Sequence, residues 1–257
     1  MATYEVNDDI FPNKTVVYIR CKFKGKEGWG NGSGTIVGKN DILTASHVVY
    51  DERYDGWATE TRIYTSRNAY LSNSSSYYTY KWARGKNWDE NGDGLIAQGD
   101  NKYNSLYETE NDIALLSLAT DIGSIYGSMG LKFNFQSGTA SKLGYPGKYN
   151  YNLYYDEGFV DKHSVDNYFQ FDKDEIEING GDSGGPIYVN SGGNAGYQVI
   201  GVISGKGTIS GNGTACALNA HSTWIKDEIE SNNYLYDKSF ATITSPESVD
   251  EGSSISF

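Results

Sequence analysis

Short apolar runs rich in β-branched and aromatic residues recur along the chain, separated by polar, glycine-rich stretches. Thr15-Val16-Val17-Tyr18-Ile19-Arg20-Cys21 has the side chains that pack well on a pleated surface and is predicted to be a strand. Similar runs predict strands at 34–37, 41–44, 61–64, 113–116, 139–143, 158–160, 186–189 and 197–203. This is an all-β organisation with little room for parallel strand-helix-strand units. One late segment differs. Ser222 to Ile229 sets Ile225 and Ile229 four apart among polar neighbours, with Ser222 as an N-cap, and predicts a short helix over 222–232. From 237 to 257 the chain turns Ser- and Thr-rich, as a C-terminal extension or the opening of a further β domain.

Composition sharpens this picture. The 257 residues hold 31 Gly and 22 Tyr but only 4 Pro, which suits tight turns between aromatic-bearing strands. With 21 Lys+Arg against 33 Asp+Glu the net charge is −12, which argues against nucleic acid as a partner. No run of about 18 apolar residues is present, so no membrane insertion is expected. Met1 to Glu5 lacks the basic and apolar regions of a secretory leader; export with such a leader already absent is the expectation. Cys21 and Cys216 are either one long-range bridge or two separate buried thiols.

The strongest chemical signal is Gly180-Gly181-Asp182-Ser183-Gly184-Gly185-Pro186. Its glycines let the backbone turn tightly around Ser183, and the Gly181 and Ser183 amides can converge on a developing oxyanion. A serine nucleophile needs a base. Of His47, His163 and His221, the first ends an apolar strand, where it can be held rigidly at a cleft. His163 reads as a loop residue and His221 as part of a helix cap. Asp112 precedes the apolar run 113–116, and orienting His47 would give this acid the partner it needs there.

Thr44-Ala45-Ser46-His47, Asn111-Asp112-Ile113-Ala114-Leu115 and Gly181-Asp182-Ser183-Gly184-Gly185-Pro186 resemble the three signatures of chymotrypsin-like serine endopeptidases. The segment Val37 to Thr44 resembles the bacterial glutamyl-endopeptidase-type branch, and the likeness spans residues 12–232. It implies two antiparallel six-stranded β-barrels, near 12–120 and 121–221, a C-terminal helix and an active site in the cleft, within a protease domain of residues 1–236. It also implies His47 as general base and acid, Asp112 as its orienter, Ser183 as acylating nucleophile, and Gly181 and Ser183 as oxyanion donors. Ser204 and Gly205 would bind the substrate edge, with Ser204 supporting Asp112.

Two departures from the family matter. The glutamate-selecting histidine of that branch is absent, since the strand reads Val202-Ile203-Ser204. Glu177 facing inward would favour a basic P1 residue, and Ile178 lining the pocket an apolar one. Asp182 lacks a recognisable activation sequence to pair with, so its partner is a lysine, an arginine or backbone donors, or else the residues before Thr15 form a propeptide.

Asp89, Asn91, Asp93, Leu95 through its carbonyl, and Asp100 fall at ligand positions of an EF-hand-like loop, with Gly94 at the turn. A structural calcium ion is expected there, and no cofactor for catalysis. The reading is therefore a monomeric, secreted endopeptidase acting on peptides or proteins. A calcium-stabilised binding or adhesion module without activity, or a serine esterase, are the alternatives.

Overall fold

The computed structural model describes residues 3–66, 70–71, 76–84, 106–206 and 211–244. After β1 (Tyr4–Glu5), the chain forms β2 (Val16–Lys22), β3 (Gly30–Ile36) and β4 (Asp41–Thr44). A short helix α1 (Ser46–Val49) and a small hairpin of β5 (Tyr50–Asp51) and β6 (Gly56–Trp57) follow. Next come β7 (Glu60–Tyr64), β8 (Ser76–Arg84), α2 (Leu106–Asn111) and β9 (Ala114–Leu118). The order β2-β3-β4-β9-β8-β7 closes the first barrel.

Period two along β2 puts Val17, Ile19 and Cys21 on one face and Tyr18, Arg20 and Lys22 on the other. The first face is the barrel interior: Ile19 and Ile42 close over Gly34, where a Cβ would come within 2.8 Å of both side chains.

A helix α3 (Ile122–Tyr126) and β10 (Gly130–Leu131) lead to β11 (Ser137–Gly144), β12 (Tyr154–Lys162), β13 (Tyr168–Phe171), β14 (Pro186–Asn190), β15 (Tyr197–Lys206) and β16 (Gly213–Ala217). The pairings β12-β11-β14-β15-β16-β13 and β13 back to β12 close the second barrel, with Val160, Phe169, Ile187, Ile200 and Ile203 buried together. Outside this ring, β1 adds antiparallel to β12 and β10 parallel to β15.

β8, β13 and β16 lie outside the predicted runs. Ser76-Tyr77-Tyr78-Thr79-Tyr80-Lys81 does not alternate, and Gly213-Thr214-Ala215-Cys216-Ala217 is made of small residues. β16 is small because β13 packs on it: a Cβ on Gly213 would fall 1.9 Å from the Phe171 ring. The closing helix α4 runs Ser222–Thr244, 23 residues, well past the end expected at 232. No Gly or Pro interrupts that stretch, and Pro246 follows it.

α4 buries Ile225 in the core and adds polar contacts to the first barrel. Lys81 donates to Glu228 Oε2 at 2.8 Å and to Asn232 Oδ1 at 3.0 Å, and Asn232 Nδ2 donates to the buried Asp41 at 2.7 Å.

Candidate active site

β4 delivers the chain to α1, whose first residue Ser46 donates to the Ile113 carbonyl at 2.7 Å. That bond sets His47 beside Asp112, which is fully buried just ahead of β9. His47 Nδ1 lies 2.8 Å from Asp112 Oδ2, and the His47 amide donates to Oδ1 at 3.0 Å. Ser204 Oγ, on β15, donates to Asp112 Oδ2 at 2.7 Å. With Asp112 accepting, the bond to His47 requires the imidazole proton on Nδ1, which in the neutral ring leaves Nε2 as acceptor.

Ser183 is half-buried in the loop before β14. Its carbonyl accepts the Ser33 amide of β3 at 2.7 Å, and Ser33 Oγ donates to the Gly181 carbonyl at 2.7 Å. The nucleophile loop is therefore fastened to the first barrel although it belongs to the second. On its other side Gly184 N donates to Ile203 O at 2.8 Å, and Ile203 N to Gly185 O at 2.9 Å, beside Ser204. Gly184, at φ +84°, abuts the strand leading to His47: a Cβ there would sit 2.1 Å from Thr44 Oγ1 and 2.2 Å from Ser33 O. These contacts bring the Ser183 loop and the His47–Asp112–Ser204 set to one seam.

The Gly180 carbonyl accepts from Gly147 N at 2.8 Å, which turns the Gly181 amide of the same trans peptide away from Gly147. Neither that amide nor the Ser183 amide donates to a described residue. Asp182 is buried and finds its partner inside the chain. Lys142 Nζ lies 2.9 Å from Asp182 Oδ2, both side chains fully buried, and the Asn179 amide adds a bond of 2.8 Å. Burial pushes the Asp182 carboxyl up, and the Lys142 charge opposes that.

Glu177 is already engaged. Lys148 Nζ at 2.5 Å and Tyr149 OH at 2.9 Å donate to its carboxylate, outweighing burial and holding it below its ordinary pKa. Ile178 is buried with the second-barrel core. Of the other histidines, His163 pairs with Asp166 at 2.9 Å and stacks on Tyr168, and His221 Nε2 meets the Glu110 carbonyl at 2.7 Å in the turn before α4. Cys21 and Cys216 are both free buried thiols, so the bridge alternative is not formed. The calcium residues Asp89, Asn91, Asp93, Leu95 and Asp100 lie outside the described residues.

The sequence model of the Trypsin family matches residues 19–225. The chain belongs to the trypsin family. Its match covers both barrels and the seam between them. Among solved structures, this trypsin-family chain is similar to a Glu endopeptidase in complex with MPD, at TM-score 0.69 and 18% identity, covering 89% of this chain and 96% of that one. It is similar also to the protease Anisep from Arthrobacter nicotinovorans, at TM-score 0.61 and 18% identity over 84% and 93% of the two chains. The thermostable serine protease AL20 from an extremophilic microorganism aligns at TM-score 0.59 and 16% identity over 82% and 94%. No curated protein matches. The trypsin-family assignment makes the chain a serine endopeptidase by fold and family, acting on peptides or proteins. No helix among the described residues is long and apolar enough to cross a membrane.

Proposed function

We propose that this endopeptidase is exported and monomeric, with Ser183 as nucleophile, His47 as general base and acid, and Asp112 as the group that orients His47. The buried Asp112, held by His47 and Ser204, is the observation that carries this reading. His47 Nε2 takes the Ser183 hydroxyl proton as Oγ bonds to the scissile carbonyl carbon, whose oxygen becomes an oxyanion between the Gly181 and Ser183 amides. His47 then passes the proton to the departing amine as the C–N bond breaks. Water, deprotonated by His47, attacks the acyl-enzyme, and Ser183 regains its proton.

Lys142 supplies internally the cation that Asp182 requires, which supports a site organised without a freed amino terminus. An extended peptide pairs along Ser204 and Gly205. Because Lys148 and Tyr149 occupy the Glu177 carboxylate, the apolar P1 reading is the better supported. Peptides with Leu or Phe at P1 are expected to be cleaved at least about tenfold faster than those with Lys or Arg. Lys148→Ala should narrow that ratio by freeing Glu177. Cleavage confined to Lys and Arg in the unaltered enzyme would overturn the preference.

Covalent capture by a peptidyl phosphonate, lost in Ser183→Ala, tests the nucleophile; equal labelling of both proteins refutes it. The calcium reading rests on the spacing of the 89–100 loop. A melting temperature raised by calcium chloride and insensitive to it in Asp93→Ala is the expected outcome.

A further inference from the structure

The face of the first barrel that carries Ser33 holds a second set of chemical groups. Period two puts Asn31 on the same side of β3 as Ser33, the residue bonded to Ser183 and Gly181. In the β2 and β7 registers, Tyr18 lies between Ser33 and Tyr64, and Arg20 lies between Asn31 and Arg62. The Tyr18 row is satisfied: its hydroxyl donates to Asn31 Oδ1 at 2.6 Å, and Asn31 Nδ2 donates to Tyr151 OH at 3.2 Å.

In the next row Asn31 is held by those same bonds, and Arg20 is the exception. Arg20 and Arg62 both lie over the Trp29 ring, with guanidinium carbons 5.0 and 4.8 Å from its centroid, and Arg20 lies also 5.2 Å from the Tyr70 centroid. Arg62 is neutralised by Glu60, Nε to Oε1 at 2.6 Å. Arg20 has no carboxylate partner among the described residues, and its Nε is buried with no hydrogen-bond partner. Arg20 as a whole is only half-buried and meets no anion among the described residues, so in a chain of net charge −12 its charge is one that a carboxylate brought in from outside would complete.

The seam gives this cluster a direction. Ser204 and Gly205 flank Ser183 on one side through the Gly184–Ile203 bonds, and Ser33 flanks it on the other. An extended peptide running along Ser204–Gly205 to Ser183 leaves across β3 toward Asn31 and Arg20. At ~3.3 Å per residue, Asn31 is ~7 Å beyond Ser33, about two substrate residues past the bond. We propose that Arg20, framed by Trp29 and Arg62, is a subsite for an acidic side chain on the leaving-group side of the scissile bond. This rests on the endopeptidase reading above.

Two peptide series differing only in Asp or Glu against Asn or Gln at the second position past the bond test it. The expected kcat/KM ratio is about tenfold in favour of the acid, falling to about one in Arg20→Gln and unchanged in Lys24→Gln, whose lysine is exposed and paired with Asp55. Fluorescence anisotropy of the leaving-group half of each peptide on Ser183→Ala reads the same preference without turnover. Failure of phosphonate capture would therefore strike the endopeptidase reading, while the anisotropy still decides the subsite. If Arg20→Gln does not fold, the acid-over-amide ratio in the unaltered protein must fall with added sodium chloride. Equal affinities for acid and amide, a preference that survives Arg20→Gln, or one indifferent to salt overturns the proposal.

Discussion

A methyl group at position 184 has no space: it would meet Thr44 Oγ1 and Ser33 O at 2.1 and 2.2 Å, on a backbone at φ +84°. Gly184→Ala is expected to cost about 2–4 kcal/mol in urea unfolding and to displace Ser183 from the seam. Lys142 poses the opposite problem, that of a charge whose removal strands another. Lys142→Met leaves Asp182 buried and unpaired, for an expected loss of about 3–5 kcal/mol at neutral pH. That loss should shrink on acidification, because burial already raises the Asp182 pKa and a protonated carboxyl has no charge to strand. A loss independent of pH would contradict the pairing. The His47–Asp112 contact and the seam position of the Ser183 loop were legible because each residue stands in a short run of distinctive neighbours. Lys142 was not, since Ser141-Lys142-Leu143 reads as an ordinary strand and its partner lies 40 residues on, a distance of 182 − 142 in sequence.

Among elements, α4 shows where periodicity stops informing. Ile225 and Ile229 revealed its first turns, and Ile225 is buried in the core, but the rest of its anchorage is polar: Asn232 on Asp41, and Lys81 between Glu228 and Asn232. Burial, opposed by Asn232 and Lys81, raises the Asp41 pKa to about 6 from the ordinary 3.8. The folded state thus holds a proton that the unfolded chain releases between those values. Stability contributed by this group is present below the unfolded pKa and is lost as pH rises toward 6. Relative to Asp41→Asn, the unaltered protein should lose roughly 3 kcal/mol between pH 3.5 and 6.5, at about 1.4 kcal/mol per pH unit. Denaturation curves of both proteins across that range check it; parallel curves would exclude it. The strands divide in the same way, with β2 and β15 evident from their apolar runs and β16 hidden because its small residues answer to the Phe171 ring.

At the scale of the molecule, the two barrels were legible through motif order, whereas their fastening was not. Nothing in Gly32-Ser33-Gly34 announces that Ser33 bonds Ser183 and Gly181, nor in Tyr4-Glu5 that β1 pairs with Tyr155 and Tyr154 across the chain. Such contacts depend on which surfaces meet after each barrel has closed. The Ser33 fastening also orders events in time. The nucleophile loop is bonded to both barrels, so catalytic competence is expected to be the last property acquired on refolding. After dilution from denaturant, tryptophan fluorescence should recover first, and phosphonate capture should follow with a lag that Ser33→Ala lengthens. Assembled in that order, the refolding protease would be unable to cut its still-unfolded siblings until the barrels dock.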